Sequence, residues 1–325
     1  MYNLIKQATQ EFEKNGRSEA FVKMENKLIR IGKPIQIYFF ARYAKGANIK
    51  KLQKVMWDKA TLEECFYFAY YVKGVKKDEN GFEEVFDVNL VPFATRAVYE
   101  GDKFWIEKFA KLIKQRMQDL DNSINSCGDL NKLNMMKKEY GELENTIVPL
   151  MEEYGKVDFR SIQLGKEEYD IDRVIKKAKK EVSTDCCSDK FAQMEKQMKY
   201  NLGIGDFRAI LFAKELAEYI KVKDFEKMAC MSGEYDNIYM LAMRVDNVNK
   251  NSMLNALHLT KLDYVKEEED NARLNARALM FNRNKVRNNE NNIESYENTY
   301  QSIIDNCIAI LIYRIKEEQK KLKKY

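Results

Sequence analysis

The chain has 325 residues, of which 45% are hydrophobic and 12% aromatic, with only three prolines and thirteen glycines. That is too apolar for wholesale disorder and too poor in turn residues for a β-sandwich or barrel, so helices are the expected material. The net charge of +5 is too mild to identify a nucleic-acid binder, but residues 1–60 hold thirteen Lys or Arg against five Asp or Glu, a local net of +8.

The opening stretch, MYNLIKQATQEFEKNG, is amphipathic and charged and does not read as a signal peptide. Gly32 is placed to end one helix, and Pro34 suits the first turn of the next. Ile37, Phe40, Ala41 and Ala44 then share one helical face. Gly46 can take the left-handed conformation that stops that helix, and Asn48 can cap a following one with Ile49, Leu52, Val55 and Met56 along one stripe. Thr61 and Glu64 form a capping box that starts a third. The phrase IYFFARYAKGANI at 37–49 is echoed by CFYFAYYVKGVK at 65–76, where Gly74 is the expected counterpart of Gly46. In that second writing Val75-Lys76 replace Ala47-Asn48, so the cap is lost.

Further along, Asp102 can cap a helix carrying Ile106, Phe109, Ile113, Met117 and Leu120. A turn marked by Asn122-Ser123 and Cys127-Gly128 leads to Leu133, Met136, Tyr140, Leu143, Ile147, Leu150 and Tyr154, a heptad seam. Two such helices in succession predict an antiparallel hairpin, or a seam facing another chain, with Pro149 ending or kinking the second helix near Val148. Residues 155–168 read as a linker, and charged helices follow at 170–182 and 189–200. The opening phrase then returns at an offset of 201: Ile238-Tyr239 matches Ile37-Tyr38, Ala242 matches Ala41, Asn247 replaces Gly46 and Asn249 matches the cap Asn48. A weaker version, GDFRAILFAKEL, stands at 205–216. The stretch 271–289 holds Arg273, Arg277, Arg283, Lys285 and Arg287 and no acid, and is the candidate site for nucleic acid or another polyanion. Its alternative is internal pairing with the acidic run 267–270. Residues 292–323 predict a long helix, buried all round between Ile303 and Ile315.

FARYAKGANIKKLQ, residues 40–53, resembles the short helical repeats of some bacterial and phage proteins, similar in logic to HEAT-type solenoids but shorter. The likeness covers 34–76 and, partially, 205–257. It implies stacked helix–turn–helix units and a binding scaffold, and brings no catalytic residues with it. The use of Lys, Asn, Ile and Tyr also fits an AT-rich bacterial or phage genome.

Motifs for chemistry are sparse. His258 is the one histidine, and six cysteines without metal-ligand spacing read as free thiols. No GxSxG, P-loop or GxGxxG pattern occurs. The acidic clusters at 78–87 and 267–270 read as solvated faces, with a divalent cation as the alternative. The longest strongly apolar run, residues 307–313, is too short to span a bilayer.

The expectation is therefore an all-α chain: helical-repeat, solenoid-like units at 1–100 and 161–260, a hairpin at 101–160, and C-terminal helices at 261–325. Function is expected to be non-enzymatic, cofactor-free, metal-free and cytoplasmic. A protein partner stands first, with a phage-encoded inhibitor of a host protein as its narrow form. Nucleic acid on the basic N-terminal face and Arg273–Arg287 is the alternative.

Overall fold

The computed structural model describes residues 1–77, 83–127, 130–164, 171–185, 188–200, 207–261, 303–316 and 318–319. Their regular secondary structure is helical apart from one two-stranded hairpin. The chain divides into two compact units, Asn3–Gly165 and Lys166–Tyr325. None of the described helices is long and apolar enough to cross a membrane.

The first unit opens with α1 (Tyr2–Asn15), α2 (Glu19–Ile31), α3 (Pro34–Tyr43), α4 (Ile49–Lys59) and α5 (Leu62–Tyr71). Local chemistry sets these boundaries. Ser18 accepts the Phe21 N–H to cap α2, Pro34 occupies the first turn of α3, and Thr61 and Glu64 close a reciprocal capping box on α5. The helices α1, α3 and α5 end at Asn15, Tyr43 and Tyr71, each 28 residues after the last, and α2 and α4 end at Ile31 and Lys59, also 28 apart. Each of α3, α4 and α5 packs on the other two. The seam is apolar and largely aromatic, with Phe21, Ile37, Tyr38, Phe40, Leu52, Met56, Tyr67 and Phe68 wholly buried.

After α5 the pattern breaks, and Gly74 is a correction. It does not stop a helix. Helix α5 ends at Tyr71, Val72 is extended, and the chain runs straight into strand β1 (Lys73–Lys77), where Gly74 pairs with Phe86 of the antiparallel strand β2 (Glu83–Asp87). The capping Asn that follows Gly46 has no counterpart here, and β-branched Val75 favours the strand.

Helices α6 (Val91–Glu100) and α7 (Lys103–Ser126) continue the unit, α7 capped by Asp102 through the Phe104 and Trp105 N–H groups. Helix α8 (Leu130–Glu142) packs back on α7, and Arg116 meets Glu139 through two hydrogen bonds of 2.9 and 3.0 Å. Pro149 neither ends nor breaks this second helix. The turn Leu143–Ile147 widens to a π-helix, the Val148 N–H reaches back five residues to the Leu143 carbonyl, and α9 (Val148–Glu153) resumes. A proline ring crowds the carbonyl four residues before it and offers no N–H; the wide turn absorbs both defects. Of the heptad positions Leu143 and Ile147 are buried, Leu150 is half-buried beside the buried Met151, and Tyr154 is exposed. Lys114 then fastens the following segment by donating to the Phe159 and Ile162 carbonyls at 2.8 and 2.7 Å.

The second unit contains α10 (Ile171–Thr184), α11 (Asp189–Tyr200), α12 (Phe207–Glu215), α13 (Val222–Ser232) and α14 (Tyr235–Arg244). Two further helices, α15 over 250–261 and α16 over 303–316, complete the described part. Helix α12 packs on α10, α11, α13 and α14. Helix α16 is amphipathic, which corrects the expectation of all-round burial. Ile304, Cys307, Ile308 and Leu311 face inward, while Ile303, Ile310 and Tyr313 are exposed. The inward residues step by 3 and 4, so a single stripe is covered despite apolar residues on both sides.

Candidate interaction surface

Two blocks of three helices share one hydrogen-bonded frame. In the first, Gly46 (φ 80°) follows α3; in the second, Asn247 (φ 63°) follows α14. Both occupy the left-handed region that glycine and asparagine tolerate best. Two residues later Asn48 and Asn249 cap the next helix, each side-chain oxygen accepting an N–H three residues on, from Lys51 and Ser252, at 3.1 Å in both cases. The backbone N–H of each cap donates in turn to a carboxylate on the first helix of its block, α2 or α13: Asn48 to Glu25 at 2.7 Å and Asn249 to Glu226 at 2.5 Å. The end of the third helix ties back to the end of the first. Lys59 Nζ donates to the Ile29 carbonyl, and Thr260 Oγ1 donates to the Gly233 carbonyl.

The glutamates were not singled out from the sequence, because each acts 23 residues before the cap it serves. The available signal was the 201-residue offset, which pairs Glu25 with Glu226 as it pairs the two asparagines. Glu25 is wholly buried and also takes Arg17 Nη2 at 2.8 Å, while Arg17 Nη1 donates to the Gly46 carbonyl.

The frame orients the outer faces of α2 and α4 side by side. Lys51 Nζ donates to Asn26 Oδ1 across them at 2.6 Å. Together these helices carry Lys23, Lys27, Arg30, Lys50, Lys51, Lys54 and Lys59 on the exposed side, against Glu19 and Asp58. Glu19 pairs with Lys23 at 2.7 Å. Among the described residues, Lys27, Arg30, Lys50 and Lys54 form no ion pair. The face therefore has an unneutralised cationic centre. Trp57 stands at its edge, 43% exposed, with its indole N–H donated to the Pro92 carbonyl at 3.1 Å.

A second concentration of recognition-type side chains lies on α3 and α5. The Arg42 guanidinium sits 4.5 Å from the Tyr71 ring centre and 5.0 Å from that of Tyr43, and it donates to the Tyr38 hydroxyl at 2.9 Å. Tyr70, its ring 4.9 Å from that of Tyr71, is 47% exposed.

Arg273, Arg277, Arg283, Lys285 and Arg287 lie outside the described residues, as do the acidic run 267–270, Cys186 and Cys187. Cys65, Cys127, Cys230 and Cys307 are free thiols. Burial pushes Cys65 and Cys230 up to about 12, so neither is a ready thiolate. His258 is half-buried on α15; burial first, then the Lys261 ammonium, lower its pKa. Among the described residues no three His, Cys, Asp or Glu side chains gather to hold a metal ion. No protein-family model matches the chain, no curated protein matches it, and no solved structure matches it.

Proposed function

We propose that the chain is a non-enzymatic scaffold of stacked helix–turn–helix units that binds a negatively charged macromolecule across the outer face of α2 and α4. The observation that carries this reading is the cluster Lys27, Arg30, Lys50 and Lys54 on neighbouring helices, exposed and, among the described residues, without a carboxylate partner. The 28-residue spacing of helix ends in α1–α5 supports the stacked arrangement. Units that cannot bury their own apolar side stack and leave an extended surface for a partner. The reading is tested with fluorescent heparin as a generic polyanion, titrated into wild type and into K27Q/R30Q/K50Q/K54Q. Wild type binds and the variant binds at least ten times more weakly. Equal binding by the two removes this face from the account.

A protein partner is favoured by a different observation, the Arg42, Tyr70 and Tyr71 group on α3 and α5. Arginine and tyrosine are the residues that anchor protein interfaces. Capture of the same nuclease-resistant protein by wild type but not by Tyr70→Ala supports this second reading; equal capture by both counts against it.

A further inference from the structure

We propose that the occupant of the α2–α4 face is the phosphate backbone of double-stranded nucleic acid, bound without base readout. This rests on the polyanion reading above and narrows it to one partner class.

Three features point that way. The first is the kind of cation. Of the four unpaired groups three are lysines. Lysine is depleted at protein interfaces, where arginine and aromatic side chains dominate, but serves phosphates well as a mobile point charge. The second is the arrangement. Lys27 and Arg30 lie three residues apart on α2, and Lys50 and Lys54 four apart on α4, giving steps of about 4.5 and 6 Å along each helix. The Lys51–Asn26 hydrogen bond holds α4 beside α2, so the two cationic rows are neighbours, and flexible lysine stems can reach phosphates on either side of a groove. Among the described residues of α2 and α4 Trp57 is the one exposed ring, and its N–H is committed to Pro92. Single-stranded binders instead present successive rings on which bases stack.

The third feature is the second block, which shows that the frame does not need these charges. At the same 201-residue offset, Lys27 and Arg30 become Met228 and Met231, both wholly buried. Lys50 and Lys54 become Asn251 and Asn255, exposed and neutral. The turn, caps and glutamate staple form all the same. The cations of the first block are therefore free to serve something outside the chain.

The experiment is an anisotropy titration of a fluorescein-labelled mixed-sequence DNA duplex two turns long, with wild type, K27Q/R30Q/K50Q/K54Q and the milder K50Q/K54Q. Far-UV circular dichroism confirms that each is folded, and labelled poly-L-glutamate is the second probe. Four phosphate contacts predict a slope of log affinity against log salt of about −3.6, so wild-type affinity falls about 150-fold between about 50 and 200 mM salt. K50Q/K54Q flattens the slope by about two units and the fourfold variant abolishes measurable binding. Duplex binding that the variants leave unchanged overturns the proposal. Binding of poly-L-glutamate through this face without duplex binding overturns the nucleic-acid inference and keeps the polyanion scaffold. Binding of neither probe overturns both.

Discussion

Residues 17–60 and 218–261 use the same hydrogen bonds to turn one helix into the next, yet they treat the turn residue and the outer surface differently. In the first block the turn residue is Gly46, and a Cβ built there would lie 2.1–2.6 Å from carbons of the Phe12 ring. In the second it is Asn247, which carries a side chain, and the residue at the offset of Phe12 is Ala213. The first block adds Arg17 to its buried glutamate; the offset places Glu218 at that position in the second. The first block leaves its outer helices exposed and cationic. The second has Lys250 paired with Glu318 and Lys261 held by Asp305 at 2.6 Å, which lays α16 along α15. The frame is thus separable from what is mounted on it. Turn, cap and staple make the fold, and the outer positions vary with what covers them.

The largest effect should come from the turn residues. Gly46→Ala is expected to cost about 2–4 kcal/mol, combining left-handed strain with a clash against Phe12, whereas Asn247→Ala should cost about 1 kcal/mol. Denaturant unfolding of the two variants compares them directly, and equal losses would break the claim that Phe12 dictates glycine at 46. Phe12→Ala combined with Gly46→Asn recreates the pair found in the second block. The combination should cost less than the sum of its single changes, because the two positions are in contact.

The carboxylate staple comes next. Glu25→Gln loses a charge-assisted bond to the Asn48 N–H and the Arg17 pair, for about 1–3 kcal/mol once the partial exposure of Arg17 is allowed for. Glu226 is half-buried and among the described residues its hydrogen-bond partner is the Asn249 N–H, so Glu226→Gln should cost about 1 kcal/mol. A larger loss at 226 than at 25 would reverse the comparison. The caps sharpen it from the other side. Asn48→Ala and Asn249→Ala should each cost about 1 kcal/mol, because their geometry is the same. A clear inequality in urea midpoints would show that the frames are less alike than their hydrogen bonds.

The smallest effect is pH-dependent. His258 occupies the offset of Trp57, and burial lowers its pKa. Protonation then favours the unfolded chain, whose histidine titrates near 6.5. Stability should be flat above about pH 6.5 and fall as the pH drops through that value toward the lower folded-state pKa. His258→Gln should remove that component of the slope in melts between about pH 7 and 5, and an unchanged slope would assign the acid sensitivity to other groups.

What could be read from the sequence followed the range of the interaction. The left-handed residues Gly46 and Asn247 and the caps Asn48 and Asn249 act within four residues of themselves, so the string of letters nearly determines them. The helical hairpin of α7 and α8 was legible for the same reason. Gly74 was misread because the letters before it copy those before Gly46, while the absent cap after it decides for a strand. Pro149 is expected to end or kink its helix, but the helix continues through a widened turn, because whether it ends or widens depends on the carbonyls that can move around the ring. Glu25 and Glu226 act across 23 residues, where no local pattern reports them. The exposure of Ile303, Ile310 and Tyr313 depends on which side of α16 the fold covers, which composition does not encode. The cationic face was visible only as a charge excess over residues 1–60; the fold shows which of those charges share a surface.

Separability of frame and surface is tested most directly by the stability of K27Q/R30Q/K50Q/K54Q. Urea unfolding followed by circular dichroism should match wild type to within about 0.5 kcal/mol, since exposed substitutions away from caps and core cost no more than that. A loss of more than about 1.5 kcal/mol would mean that these four cations hold the frame together, and would contradict the assignment of the α2–α4 face to a partner.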